Sequence, residues 1–281
     1  MSATTYTDVL IIGGGGTGLA AAIEAAELGR QVILLEKNSE TGGSTSWSVG
    51  SITATGTPHQ RKANIQDSTD AHFEDMEKHA GALAPRDNLA LRRILVDNTA
   101  DMIDWLMKLG VVFVGPEEEP PHRVARMHNV VPNSRSFAYH LTRRCRDLKV
   151  DLRLNTATQR IVLEGDRAIG VEATLPDGTL HTFIARRGIV LASGDYSAAA
   201  DLKAQLANPE VALVDAINTT ATGDGHRMAM ALGASVACSG TSSTNTCATG
   251  RPSGASNGIG VRRRANAAVA RASVASRSAT S

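Results

Sequence analysis

Gly13, Gly15 and Gly18 stand in the spacing G-x-G-x-x-G, after the apolar run Val9–Ile12 and before the small-residue run Leu19–Ala22. That spacing suits the binding of a diphosphate. Gly13 permits a tight turn, Gly15 lets a pyrophosphate approach the backbone, and Gly18 lets helix and strand pack closely. The helix that follows directs amide N–H groups and the positive end of its dipole at the phosphates. A second apolar run, Val32–Leu35, ends in Glu36, close to the roughly 20-residue spacing at which an acidic side chain binds a ribose hydroxyl. Together these residues predict a dinucleotide site.

The opening is shared by nicotinamide and flavin proteins, so the choice between them lies downstream. After Glu36 the chain runs through Lys37 into Gly42-Gly43-Ser44-Thr45-Ser46 and on to Val49-Gly50-Ser51. A nicotinamide domain normally enters another crossover helix there. A stretch rich in Gly, Ser and Thr instead presents backbone N–H groups and hydroxyls to a polar ligand.

With these motifs the chain resembles the FAD-binding domain of the fumarate reductase flavoproteins, a superfamily that includes soluble fumarate reductases, 3-ketosteroid dehydrogenases and the succinate dehydrogenase flavoprotein. Further matches are Asp104-Trp105-Leu106 with Leu109-Gly110-Val111, Leu154-Asn155-Thr156, Val190-Leu191-Ala192-Ser193-Gly194 and Ala221-Thr222-Gly223-Asp224-Gly225. They follow the family's order from about residue 7 to 236. The resemblance implies an α/β fold: a Rossmann-like, three-layer FAD/NAD(P)-binding domain with a parallel sheet and a β-meander. It also implies an FAD-dependent oxidoreductase acting on a C–C bond of a small-molecule substrate.

By position, the resemblance implies that Gly13, Gly15, Gly16, Thr17 and Gly18 hold the pyrophosphate and Glu36 the adenosine ribose, with Lys37 beside it. Gly43, Ser44, Thr45, Val49 and Gly50 line the phosphate and flavin side. Thr158 touches the adenine region, Ser193 and Gly194 cross near the dinucleotide, and Asp224 sits by the ribityl chain. Asp224 has a second reading as the N-terminal cap of the helix that follows. The succinate dehydrogenase branch attaches its flavin to a His; the corresponding residue here is Ser44, so non-covalent FAD is expected.

Positioning these residues requires a strand at Val9–Ile12, a helix to about Leu28 stopped by Gly29, and a strand at Val32–Leu35. Helices are expected at Asp67–Gly81 and Asp87–Leu109, the second burying Leu91, Leu95, Met102, Leu106 and Leu109. Trp105 on that stripe reads as core. Gly115-Pro116 to Pro120-Pro121 reads as a solvated loop. The following His122-Arg123 and His128 lie either near substrate or flavin, or in a surface loop. A helix at Phe137–Asp147 and a strand at Val150–Leu154 precede hairpins over Gln159–Ala185, with turns at Gly165-Asp166 and Pro176-Asp177-Gly178. Gly188–Ala192 returns as a separate parallel strand, and a final helix runs from Gly225 to about Leu232.

The 281 residues carry a formal net charge of +1 and 42% hydrophobic but only 3% aromatic residues, so aliphatic and Ala packing builds the core. Such a charge gives no global pull toward nucleic acid. No apolar run reaches the roughly 18 residues of a membrane span. The N-terminus has no signal-peptide pattern, so a cytoplasmic location is the default expectation. Cys145, Cys238 and Cys247 lack C-x-x-C spacing, and neither a metal site nor a disulfide framework is expected. Cys145 lies among Arg143, Arg144 and Arg146, which either lower its thiol pKa or simply flank it as solvated side chains.

The FAD-binding domain is expected over residues 1–237. Residues 239–281 contain no Asp or Glu and carry Arg251, Arg262, Arg263, Arg264, Arg271 and Arg277. A disordered basic tail over 238–281, with no specific nucleic-acid motif, is the physical expectation. The abrupt change also fits a frameshifted read-through. In the family, the proton-delivering Arg and the substrate-binding His and Arg residues follow the Gly-Asp-Gly motif, the Arg in a capping domain, and no counterpart is expected in these 281 residues. Two functions are therefore expected: an enzyme of the family's type, or a truncated, inactive FAD-binding remnant.

Overall fold

The computed structural model describes residues 3–234 and 236. The expected tail therefore lies outside the described residues. In chain order the first elements are β1 (Thr4–Ile12), α1 (Gly16–Glu27), β2 (Val32–Leu35), α2 (Gly43–Trp47), β3 (Ser51–Thr53) and α3 (Pro58–Lys62). Then come α4 (Thr69–Ala80), α5 (Leu89–Lys108), β4 (Val112–Glu117), β5 (Met127–Val131) and α6 (Arg135–Asp147). The remainder is β6 (Asp151–Arg153), β7 (Ala157–Glu164), β8 (Arg167–Thr174), β9 (Leu180–Leu191), α7 (Ala200–Leu206), α8 (Pro209–Ala212) and α9 (Asp224–Ala231). Two compact units result: Met1–Thr41 with Lys149–Ser281, and Gly42–Leu148.

The first unit is built on a six-stranded sheet in the order β6-β2-β1-β9-β8-β7. β6, β2, β1 and β9 run parallel, and β9, β8 and β7 form an antiparallel meander. β2 is buried along its whole length, as a continuous apolar run in a covered parallel sheet must be. Leu10, Ile12, Ile33, Leu35, Val171, Ala173, Phe183 and Ala185 form one core with Met228 of α9. Their neighbours point the other way: Ile11 lies under α1, whose buried residues are Gly18, Leu19, Ala22 and Ile23. The expected three layers are thus α1, sheet and α9. Each large side chain buried here contributes about 1.5–3 kcal/mol.

One strand differs from expectation. Leu180–Ala185 and Gly188–Ala192 are not separate strands but the single β9. Its first residues pair with β8, from Thr174↔Leu180 to Gly170↔Ile184. From Thr182 to Leu191 the same strand pairs with β1. Continuity across Arg186-Arg187 is possible because β1 begins at Thr4, five residues before the apolar run, and offers its own ladder there.

The second unit has a three-stranded antiparallel sheet in the order β3-β5-β4 and the helices α2 to α6. Thr57, Ser68 and Asn88 cap α3, α4 and α5 by accepting a backbone N–H three residues on. The buried face of α5 is Arg92, Val96, Thr99, Ile103 and Leu106. That corrects the expected stripe, because Leu91 and Leu95 are half exposed. The register turns on Arg92: its guanidinium is buried, bonded to Asp87 and to the Phe73 carbonyl, and lies over the Phe73 ring. β4 also enters the expected solvated loop as far as Glu117, with Gly115 packed so closely that a Cβ would stand 2.6 Å from the Met127 carbonyl oxygen.

Candidate functional site

The glycine turn sits at the carboxyl ends of the parallel strands, where an open α/β sheet offers its ligand crevice. Gly13 has φ +103°, and a Cβ on it would stand 2.4 Å from the Ala192 carbonyl oxygen. A Cβ on Gly18 would stand 1.9 Å from the Gly13 oxygen. No side chain fits at either position, so the backbone itself forms the surface. Gly15 caps α1 in extended conformation with no side-chain cap bond, and the first turn contains no acidic residue. Gly16, Thr17 and Gly18 form that first turn, and its dipole is left to attract an anion.

Glu36 is 6% exposed. Its Oε2 accepts the Gly14 N–H at 2.6 Å and its Oε1 the Asn38 N–H at 2.8 Å. Two backbone amides thus fix the carboxylate beside the turn, and each oxygen keeps lone-pair capacity for a hydroxyl donor. The Thr156 N–H donates to the Glu36 carbonyl at 2.8 Å, which carries the chain into β7 and to Thr158. The Thr158 hydroxyl is buried and has no hydrogen-bond partner, a cost of about 1–3 kcal/mol that a bound polar group would remove.

Ser193 lies between the turn and the start of α9. A Cβ on Gly13 would approach its Cα to 2.8 Å, and one on Gly225 its Oγ to 1.9 Å. Gly194 has φ +81° with open space where a side chain would stand. The reading of Asp224 as helix cap is corrected: Gly223, in the left-handed region at φ +72°, is the cap, and Asp224 is the first helical residue. Lys37 reaches it from the end of β2, with Nζ 2.7 Å from Oδ2 and 2.7 Å from the Thr222 hydroxyl. Burial alone would raise the Asp224 pKa. Hydrogen bonds from Lys37 and Thr222, and the charges of Lys37 and Arg227, outweigh it and hold the carboxyl below its ordinary range.

The remaining expected residues lie in the second unit. Gly43, Ser44 and Thr45, read in sequence as part of a stretch rich in Gly, Ser and Thr, belong to the short helix α2. Gly42 permits it: at φ +125°, a Cβ would stand 2.1 Å from Ser46 Oγ and 3.1 Å from Ala138 of α6. Gly50 packs on Val130, and Val49 is 92% exposed.

His122, Arg123 and His128 join a network built on buried Arg126, Asp67 and Asp75; His128 is buried with them, His122 half-buried and Arg123 exposed. Arg126 is fully buried and bonds Asp67 with Nε and Nη2 and Asp75 with Nη1, at 2.6–2.7 Å. Arg126 also donates to His122 Nδ1 at 2.9 Å, and Arg123 bonds Asp75 through its backbone N–H and Nε. His128 is fully buried between the Arg126 carbonyl and the Thr57 hydroxyl. Burial, then the Arg126 charge and His122, depress His72 to about 4. Burial, His79 and Arg126 lower His122. For Asp67 and Asp75 burial is outweighed by the hydrogen bonds they accept, and both are lowered. Arg126, Asp67 and Asp75 were missed in sequence, since each alone has the composition of a surface residue. Cys145 is buried and its thiol is pushed up to about 12 by that burial, so the flanking arginines do not activate it.

Among the described residues no helix is long and apolar enough to cross a membrane, and no group of three His, Cys, Asp or Glu is arranged to hold a metal. The closed glycine backbone, the fixed carboxylate and the partnerless Thr158 hydroxyl fit the phosphates, ribose and adenine of a dinucleotide.

Comparison with known proteins agrees. The family model described as "FAD binding domain" matches residues 8–273. The chain is 28% identical over 233 residues to the probable fumarate reductase Ifc3 of Shewanella frigidimarina, covering 82% of this chain and 39% of that protein. It is 30% identical over 243 residues to the urocanate reductase of Eggerthella lenta, covering 83% of this chain and 39% of that protein. Among solved structures, the open conformation of a flavocytochrome c3 fumarate reductase superimposes with a TM-score of 0.76 at 28% identity, covering 82% of this chain and 41% of the other. A 3-ketosteroid-Δ4-(5α)-dehydrogenase from Rhodococcus jostii RHA1 gives 0.73 at 25% identity, covering 82% and 54%. The chain thus spans about two-fifths of the curated relatives' length.

Proposed function

The chain belongs to the FAD-binding domain family, and from that premise we propose that it is the flavin-holding part of an oxidoreductase of the fumarate reductase or ketosteroid dehydrogenase type. Its reaction is hydride transfer between flavin and a C–C bond of a small-molecule substrate. The observation that carries this reading is the glycine turn, in which neither Gly13 nor Gly18 has room for a side chain, beside a carboxylate fixed by two backbone amides.

Gly13, Gly15, Gly16, Thr17 and Gly18 hold the pyrophosphate, Gly13 by shaping the turn while its own N–H donates to the Leu35 carbonyl, the others through their backbone and the α1 dipole. Glu36 accepts from the adenosine ribose, and Thr158 supplies its hydroxyl to the adenine region. Ser193 and Gly194 line the dinucleotide, and Asp224 stands by the ribityl chain. Gly43, Ser44, Thr45, Val49 and Gly50 are assigned to the phosphate and flavin side from the order of the family's motifs. FAD supplies the redox chemistry when bound; the side chains bind and orient it. Ser44 offers no imidazole for a covalent link, so the flavin is non-covalent and acid precipitation releases it to the supernatant. The FAD-binding domain comprises residues 1–237, followed by a basic tail, and the protein is placed in the cytoplasm.

The alternative reading is FAD binding without turnover. One experiment addresses both. The purified chain is reconstituted with FAD, its visible spectrum is recorded, and dye-linked reduction of an activated C=C substrate is followed. Bound flavin with turnover supports the enzyme, and bound flavin alone supports the second reading. A colourless protein overturns both.

A further inference from the structure

We propose that Lys37 is a positioning residue that acts on the cofactor through Asp224, fixing and neutralising that carboxylate beside the phosphate-binding turn, rather than by touching the cofactor. The inference rests on the FAD reading above. Lys37 Nζ donates to Asp224 Oδ2 and to Thr222 Oγ1, both at 2.7 Å, and the Thr222 hydroxyl donates to Asp224 Oδ1 at 2.8 Å. The three groups close a triangle that ties the end of β2 to the first turn of α9.

The triangle lies next to the turn. Asp224 precedes Gly225, which packs on Ser193 Oγ, and Ser193 Cα packs on Gly13. A bare carboxylate on that side of the turn opposes an incoming diphosphate, and an ammonium paired with it cancels the repulsion. The other cation beside Asp224 is Arg227 of its own helix, whose guanidinium is bonded to Asp201 of α7 at 2.7 Å. Lys37 and Asp224 are 29% and 38% exposed at the side chain. An ion pair that open contributes little to folding. Its effect therefore falls on anion binding more than on stability.

The test is a double-mutant cycle on the full chain: wild type, Lys37→Met, Asp224→Asn and the double variant. Each is titrated with FAD by flavin-fluorescence quenching, and thermal melting is recorded without FAD. Lys37→Met is expected to weaken FAD by about ten-fold or more while the melting temperature of the FAD-free protein holds. In the Asp224→Asn background the same substitution is expected to change affinity by less than about two-fold. In Lys37→Met the FAD affinity is expected to recover as pH falls, because loss of the Lys37 hydrogen bond and charge lets Asp224 protonate more readily and protonation removes the repelling charge. An equal loss in both backgrounds overturns the proposal and makes Lys37 a direct ligand. No loss in either overturns it as well. If Lys37→Met does not fold, Lys37→Gln carries the same cycle. Wild-type protein that fails to bind FAD removes the flavin reading itself, and the clamp's role with it; wild-type binding with an unaffected Lys37→Met removes the clamp alone.

Discussion

Glu36 is held by the N–H groups of Gly14 and Asn38, so its carboxylate is oriented before any ligand arrives. Glu36→Gln keeps the shape but turns an amide NH2 toward one of those donors, leaving it without an acceptor. The expected result is a destabilisation of about 1–3 kcal/mol in urea unfolding and a loss of FAD affinity of at least about ten-fold. Gly13→Ala is harsher, because its Cβ would meet backbone at 2.4 Å; it is expected to abolish FAD retention, read from the visible spectrum. Both residues were legible in sequence because the turn and its acidic partner lie within one βαβ unit, at a spacing set by helix and strand length. The Arg126 network was not. Its partners Asp67 and Asp75 are 59 and 51 positions away, and no local pattern joins them.

At the level of elements, α5 shows how one buried charge sets a helix's register. Leu91 and Leu95 have the spacing of a core stripe, yet they are 51% and 49% exposed, while Ile103 is fully buried. Leu95→Ser is therefore expected to change stability by less than about 0.5 kcal/mol, and Ile103→Ala to cost about 2–5 kcal/mol, both by chemical denaturation. Apolar periodicity located the helix to within two residues at each end. It placed Leu106 correctly but misplaced the first half of the face, because Arg92 and Thr99 are polar by type and buried through their partners. β9 failed in sequence for a similar reason: Arg186-Arg187 looks like a break, whereas a parallel strand needs only extended backbone with a partner ladder.

For the molecule as a whole, the charged network of the second unit makes stability depend on pH. His72 is depressed from 6.5 to about 4, so the folded state resists its protonation. The contribution is fully present above pH 6.5 and is lost as pH falls toward 4, by up to about 3 kcal/mol. The lowered Asp67 and Asp75 add a further loss below their ordinary 3.8, as the carboxylates that bond Arg126 are protonated. Urea unfolding between pH 7 and pH 4 is expected to show the first loss, and His72→Asn to flatten it. Arg126→Met, which takes the cation from buried Asp67 and leaves buried Asp75 to Arg123 and Lys78, is expected to cost about 3–5 kcal/mol at pH 7.

The pairing of β1 with β9 joins Thr4 to Thr182, whereas Gly42–Leu148 forms a unit of uninterrupted chain. During translation at about 5–20 residues per second, the first strand waits on the order of ten seconds for its partner to be synthesised. The intervening unit leaves the ribosome whole within that interval. The nascent chain therefore carries β1 paired with β2 on one edge only while its middle is already complete, and the Ala192-Ser193 side of the dinucleotide turn arrives last.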